Sequence, residues 1–183
     1  MTLVLILVGI ALFAFIGAYN SLIVKRNDVT NAFASIDAIL KKRYDLIPNL
    51  VATVRAYAKH EHDTFAEVTA LRTKDYAQLT DAEKRALEAG MQRAQTAFNL
   101  TAEQYPQLRA SDNFLQLQGA LNETEEQLSA ARRAYNAAVT HYNNTIQIFP
   151  TNVFASLFGF KAMSVLETAE AERKNPDVKK LFE

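Results

Sequence analysis

The chain has 183 residues, among them 20 basic and 20 acidic side chains, and therefore carries no formal net charge. This balance argues against a nucleic-acid-binding protein that relies on a basic surface. The chain has no cysteine, which excludes disulfides, thiolate zinc sites, thiol nucleophiles and a lipid-modified cysteine. The length suits one domain with an appendage. Only 5 glycines and 4 prolines, together with abundant Ala, Leu, Glu, Gln and Arg, favour helix, so we predict an all-α protein.

An apolar segment begins the chain, with 17 apolar residues in succession from Leu3 to Tyr19. Extended to Val24, about 22 helical residues at roughly 1.5 Å each would measure about 33 Å, enough for a hydrocarbon core of about 30 Å. No Lys or Arg precedes this segment, which argues against a cleaved signal peptide. We therefore predict a transmembrane anchor from Leu3 to Val24. By the positive-inside rule, Lys25 and Arg26 predict an outside N-terminus and a cytoplasmic body.

A helical pattern continues from the anchor into the rest of the chain. Its apolar residues recur at steps of three and four, at Val29, Phe33, Ile36, Leu40, Tyr44, Ile47, Val51, Val54 and Ala58. Pro48 interrupts the pattern because it lacks a backbone donor. Two geometries fit the interruption: a kink in one continuous rod, or a helix restart capped by Asp45 that makes a hairpin corner. The preceding charges, Lys41, Lys42 and Arg43, are interpreted as a solvated face.

The sequence HEHD, residues 60–63, contains residue types that bind metals. On a helix, His60 and His62 point about 200° apart, so they cannot share an ion. An enzyme or metalloprotein using Glu61, His60, His62 and His141 is the alternative, but carboxylate-bridged bundles need Glu-x-x-His spacing on two helices, which this chain lacks. We therefore predict no metal, no cofactor and no catalytic residue.

Glu61 also falls in a gap of the apolar pattern. A carboxylate that faces a bundle core needs a cationic or hydrogen-bonding partner. We predict a buried ion pair between Glu61 and either Arg132 or Arg133.

The second half of the chain carries two further helices. Thr80 and Glu83 form a capping box at the start of the first, and Pro106 ends it. Ser111, Asp112 and Asn113 supply caps for the second. Its seam alternates steps of three and four, as in a coiled coil, over Phe114, Leu117, Leu121, Thr124, Leu128, Ala131, Tyr135, Ala138, Tyr142, Thr145 and Phe149.

Pro150 ends that helix and is followed by a short apolar segment, TNVFASLFGFK, at residues 151–161. This segment either plugs the end of the bundle or forms an apolar patch for a membrane surface or a partner. The bundle is thus predicted over residues 25–160, after an anchor at 1–24, with residues 161–183 as a short helix and a loose tail. We name two candidate partner surfaces, which together consist of Asp45, Leu46, Ile47, Pro48, Asn49, Phe154, Phe158 and Phe160.

Five ordered motifs resemble those of the LemA family of membrane-anchored bacterial proteins. They are RNDV, then ID-x-x-LKKRYDLIPNLV-x-x-V-x-x-YAKHE, then EQYPQLRAS-x-x-F-x-x-LQ, then R-x-x-YN-x-x-V-x-x-YN, and finally IFP with FGFK. The resemblance covers about residues 19–161. It implies an N-terminal membrane helix in the bacterial inner membrane, followed by an antiparallel bundle of long helices. The family commonly has a large aromatic where this chain has Phe33, which is a mild departure, and the chain after Lys161 matches little.

The family has no established enzymatic activity, so the resemblance implies no catalytic residues. Its members often occur near a membrane zinc metallopeptidase of the heat-shock type or near TPM-domain proteins, which implies a role in envelope assembly or quality control. We therefore predict a non-enzymatic, membrane-anchored scaffold or adaptor that binds membrane lipid through its N-terminal helix, contacts protein partners and assembles with copies of itself. The alternatives are the metal-binding or enzymatic bundle and a membrane-remodelling rod that uses the aromatic terminal segment.

Overall fold

The computed structural model describes residues 1–57 and 76–166, and these residues are helical throughout most of their length. The helices are α1 (Thr2–Asp45), α2 (Ile47–Tyr57), α3 (Asp81–Gln104), α4 (Pro106–Arg109), α5 (Asp112–Gln147) and α6 (Thr151–Leu157), with a 3₁₀ turn at Tyr76–Gln78 before α3. No strand occurs in the described ranges, and the predicted all-α class is confirmed.

The chain forms two compact units. We call Ala34–Ala131 the body unit; Met1–Phe33 together with Arg132–Glu183 is the anchor unit. Helices α1 and α5 each contribute residues to both units.

Helix α1 begins with the predicted anchor. Most of its large apolar residues up to Ile16 are exposed, with Leu3 at 70% and Phe13 at 82%, and it is the one helix in the described part of the chain that is long and apolar enough to cross a membrane. Further along, burial follows a seven-residue spacing. The buried residues at this spacing are Leu22, Val29, Ile36, Arg43 and Leu50.

The interruption at Pro48 is a kink. Helix α1 ends at Asp45 and α2 begins at Ile47, so Leu46 alone separates them, whereas a helix hairpin needs a connection of about two to five residues. The Leu46 amide donates to Arg43 O at 3.1 Å, and the Leu50 amide donates to Leu46 O at 3.0 Å. Pro48 is the second residue of α2, where its missing N–H removes no essential hydrogen bond.

The body unit has the larger core. Tyr44, Ile47, Leu50, Val51, Tyr76, Leu87, Met91, Ala94, Phe98, Ala102, Leu108, Phe114, Leu117 and Leu121 pack together in it. The Phe98 and Phe114 rings are stacked at 4.6 Å between centroids. The capping box predicted for α3 is present: Thr80 Oγ1 accepts from the Glu83 amide, and the Glu83 carboxylate accepts from the Thr80 amide. Ser111 caps α5 by accepting from the Phe114 amide at 3.3 Å.

The anchor unit contains a second, smaller core of Val29, Val139 and Tyr142, with Phe160 and Met163 packed against it. Residues 161–166 form no helix, although a short helix was expected from residue 161 onward. The reason is that α5 side chains bind their backbone, as described below. The rest of that predicted helix and tail lies outside the described residues.

Candidate contact sites

The corner at Pro48 exposes only some of its residues. Asp45 and Asn49 are exposed, Leu46 and Pro48 are half-buried, and Ile47 is 1% exposed and belongs to the core. Ile47 therefore fixes the corner from inside, and the residues around it form the outer surface.

A groove of about 430 Å³ opens beside this corner, between α2 and α5. It is lined by Leu46, Asn49, Ala52, Thr53, Asn113, Gln116, Leu117 and Ala120. None of these side chains is charged, and three carry an amide, which both donates and accepts hydrogen bonds. We call this surface the corner groove.

One of the three charges interpreted as a solvated face is a buried cation. The Arg43 side chain is 2% exposed, and its Nη1 lies 2.7 Å from Glu125 Oε2. Its Nη2 donates to Gln95 Oε1 at 2.9 Å. The Arg43–Glu125 contact is short but not aligned as a hydrogen bond, and the Arg43 Nε has no partner among the described residues. The solvated-face interpretation is therefore wrong for Arg43, which joins α1 to α3 and α5 inside the body unit.

A second polar group in the body unit joins α1, the 3₁₀ turn and α3. Tyr76 Oη donates to Asp37 Oδ1 at 3.1 Å, and Lys84 Nζ donates to the same oxygen at 2.7 Å. Lys84 Nζ also lies 4.8 Å from the centroid of the Tyr76 ring. Burial, and then the neighbouring Asp37 carboxylate, raise the pKa of Tyr76 above its ordinary value. Tyr76 therefore remains a hydrogen-bond donor at neutral pH, and this group serves to hold the helices together.

Two Tyr-Asn pairs on α5, Tyr135-Asn136 and Tyr142-Asn143, lie seven residues apart and bind the segment 161–166. The Asn143 amide group donates to Met163 O at 2.8 Å and accepts from the Met163 amide at 2.9 Å. Asn136 makes the same pair of bonds to Leu166, at 3.0 and 2.8 Å. Tyr142 Oη donates to Lys161 O at 2.9 Å, and Tyr135 lies at 3.4 Å from Ser164 O. The repeated YN motif thus supplies hydrogen-bond partners to a backbone segment that has none from a helix or a strand.

The terminal aromatic residues contact the anchor helix. Phe15 lies 5.2 Å from Phe154 and 5.7 Å from Phe158, measured between ring centroids. Tyr19 lies 5.0 Å from Phe158 and 6.3 Å from Phe160. Phe154 and Phe160 are half-buried and Phe158 is 44% exposed. All three predicted residues therefore lie beside the apolar segment of α1.

The predicted ion pair of Glu61 lies outside the described residues, as do His60 and His62. Arg132 is half-buried on α5 and Arg133 is exposed, and both interact with other groups. His141 is exposed on α5. Within residues 1–57 and 76–166, no three His, Cys, Asp or Glu side chains are grouped so that they could hold a metal ion.

Sequence reasoning missed Arg43 and Glu125, although a signal for Arg43 was present. Counting in sevens from Leu22 passes through Val29 and Ile36 and reaches Arg43, so the heptad places it on the buried face.

These features define a membrane-associated helical protein, in which an N-terminal helix of membrane-spanning length leads into a helical body. Its relatives agree with this class. The chain belongs to the LemA family, whose family model matches residues 32–179.

Among the curated relatives, Protein LemA of Metamycoplasma hominis is 28% identical over 177 residues, which cover 95% of this chain and 80% of that protein. The chain is also similar to Magnetosome protein MamQ 2 of Paramagnetospirillum magneticum, at 24% identity over 169 residues. Magnetosome protein MamQ of Magnetospirillum gryphiswaldense is similar at the same identity. These matches cover 78% of this chain and 62% of each magnetosome protein, so this chain spans less than two thirds of their length.

Proposed function

We propose that this protein is a membrane-anchored helical scaffold or adaptor, which acts through protein–protein contacts and not by catalysis. The observation that carries the proposal is the corner groove, an uncharged surface with amide groups on a helical body that is itself joined to an exposed apolar helix. The buried polar groups of the body unit support it too. Arg43, Glu125, Asp37, Tyr76 and Lys84 are engaged with one another or with Gln95 across helices, where they stabilise the fold.

The corner groove fits a polypeptide better than a small charged ligand. Asn49, Asn113 and Gln116 offer donors and acceptors suited to main-chain amides, and Leu46 and Leu117 offer apolar contact between them. Binding that relies on amides and small apolar side chains depends little on salt, since no charge is paired. We therefore expect the partner to present an uncharged segment.

The partner classes follow from the family. We propose a membrane metallopeptidase or a TPM-domain protein as partner, in envelope assembly or quality control, with self-assembly as a further mode of contact. Relatives named as magnetosome proteins match 78% of this chain. We infer that the helical body is the common element and that the structure it serves differs between organisms.

A photoreactive side chain placed at Asn49 tests the proposal in native membranes. Asn122 is the matched control, because it is also an exposed asparagine of the body unit but lies outside the groove. We expect cross-links to a protein partner, or to a second copy of the chain, from position 49 and much less from position 122. Equal cross-linking from both positions, or none from position 49, would count against a contact at the corner groove.

The orientation is part of the proposal: an outside N-terminus and a cytoplasmic body, in a single pass through the bacterial inner membrane. Since the chain has no cysteine, Thr2→Cys and Asn122→Cys each introduce a unique thiol. We expect a membrane-impermeant maleimide to label Thr2→Cys in cells with a permeable outer envelope and an intact inner membrane. It should label Asn122→Cys only after the inner membrane is opened. The reverse pattern would place the body outside.

A further inference from the structure

The segment 148–160 contains no charged residue and lies between the polar residues Gln147 and Lys161. It includes α6, and its large apolar side chains are unusually exposed. Ile148 is 61% exposed, Phe149 78%, Val153 55%, Leu157 71% and Phe158 44%. A water-facing surface seldom carries so many large apolar side chains within one short segment.

The same segment packs against the anchor at a defined height. Phe154 and Phe158 contact Phe15, and Phe158 and Phe160 contact Tyr19. Phe15 and Tyr19 both belong to the apolar run that can cross a membrane. They are four residues apart, about 6 Å along a helix axis. The segment therefore contacts the last part of the apolar run, directly before the polar residues Asn20 and Ser21.

Several backbone groups of the segment have hydrogen-bond partners within the protein, which favours burial in an apolar solvent. The Thr151 hydroxyl reaches the carbonyl oxygens of Thr145 and Ile148 after α5 ends. Helix α6 ends in a Schellman motif, in which the Phe160 amide donates to Ala155 O at 2.9 Å and the Gly159 amide donates to Ser156 O at 3.3 Å. Gly159 has φ +70°, which permits this closure.

Cationic and aromatic groups mark the edge of the segment. The Arg26 guanidinium lies 5.6 Å from the centroid of the Phe160 ring, and Lys161 follows directly in sequence. Arginine and lysine with a neighbouring tyrosine, here Tyr19, are the residues that occupy the headgroup layer at the end of a membrane helix.

From these observations we propose that residues 148–160 are a second membrane-embedded element, lying in the leaflet that α1 leaves near Tyr19. The bilayer is the occupant that fits, because the exposed apolar side chains adjoin the apolar face of the anchor itself. The chain would then hold its membrane by two elements, which fixes the rotation of α1 about its own axis as well as its depth. This inference goes beyond the scaffold function and does not depend on it.

The test places an environment-sensitive fluorophore on single cysteines in the full-length protein. Val153→Cys and Leu157→Cys report the proposed element, and Leu100→Cys on α3 is the matched control, since Leu100 and Val153 are both 55% exposed. The protein is reconstituted into phosphatidylethanolamine and phosphatidylglycerol vesicles. Quenching is measured with aqueous iodide and with lipids that carry a nitroxide near the headgroup end of the acyl chain.

We expect the labels at Val153 and Leu157 to be quenched severalfold more by the nitroxide lipid, and severalfold less by iodide, than the label at Leu100. Labels quenched by iodide as strongly as at Leu100 would overturn the proposal. So would labels shielded from both quenchers, because a second copy or another part of the chain would then cover the segment. Neither result affects cross-linking at Asn49, so failure of this inference is distinguishable from failure of the scaffold function.

Discussion

Removing the Glu125 carboxylate is expected to destabilise the protein more than removing the buried Arg43 guanidinium. Arg43 is 2% exposed, whereas the Glu125 side chain is 39% exposed. In Glu125→Ala the charge of Arg43 stays buried with only the Gln95 amide as a partner. In Arg43→Met the Glu125 oxygen that faced Arg43 starts out buried, but its side chain is 39% exposed and can turn toward water, and methionine refills most of the space.

The magnitudes follow from this asymmetry. Breaking a fully buried pair costs about 3–5 kcal/mol. Because Glu125 is partly exposed, water takes up some of the loss, and we expect about 2–3 kcal/mol for Glu125→Ala. Arg43→Met should cost less, about 1 kcal/mol, because the unpaired carboxylate that it leaves belongs to a partly exposed side chain that can reach water. For a chain of this size, 1 kcal/mol corresponds to about 2–4 °C in Tm, so Glu125→Ala should lower Tm by about 4–12 °C.

The assay is thermal unfolding of the full-length protein in detergent, monitored by the helical signal in far-ultraviolet circular dichroism. The double variant Arg43→Met with Glu125→Ala completes a double-mutant cycle. We expect it to be more stable than Glu125→Ala alone, because no unpaired charge remains buried. The reasoning is refuted if Arg43→Met proves the more damaging single change, or if the double variant loses the sum of both.

Three other predictions concern the segment 161–166, the terminal helix and alkaline pH. Asn143→Ala should speed hydrogen exchange in residues 161–166, because two backbone groups lose their partner, at a cost of about 1–3 kcal/mol. Asn144→Ala, at an exposed neighbour, should leave this exchange unchanged. Equal exchange in both variants would contradict the pairing. Gly159→Ala should lower Tm, because a residue with a Cβ in the left-handed conformation costs about 1–2 kcal/mol. Gly119→Ala, in open space within α5, should instead increase stability by up to about 1 kcal/mol. A Gly159→Ala variant as stable as the unmodified protein would argue against the Schellman motif. Burial raises the folded-state pKa of Tyr76 above the ordinary value of about 10, so its contribution to stability is complete below that pH and is lost above it, as the unfolded chain alone releases the proton. Tyr76→Phe should therefore flatten the decline of Tm above about pH 10, and an unchanged decline would show that this proton is not involved.

The sequence predicted the helices well because the residues that start, end and pattern each helix are close together in the chain. The apolar run at Leu3 to Tyr19, the capping box at Thr80 and the helix end before Pro106 all depend on neighbouring residues alone. The seam of α5 was found from its spacing, and its residues are buried or half-buried from Phe114 to Thr145, while Phe149 lies beyond the helix and is 78% exposed. The family was found from motifs that extend over most of the chain.

The candidate sites were less predictable because they depend on residues far apart in sequence. Counting in sevens places Arg43 on the buried face, but nothing local shows that Glu125 and Gln95 meet it there. The YN motif was visible, yet its use became clear only when residues 161–166 were found lying along α5.

By itself, the sequence determined an all-α protein with long amphipathic helices and an N-terminal segment long and apolar enough to span a membrane, because period and composition act over a few turns. Tertiary structure alone decided that Pro48 makes a kink, since Leu46 keeps its hydrogen bonds on both sides and the core holds Ile47. It also decided which faces the aromatic segment presents. Phe154 and Phe158 contact Phe15 of the anchor while Leu157 stays exposed, and only the approach of two elements more than a hundred residues apart could establish that.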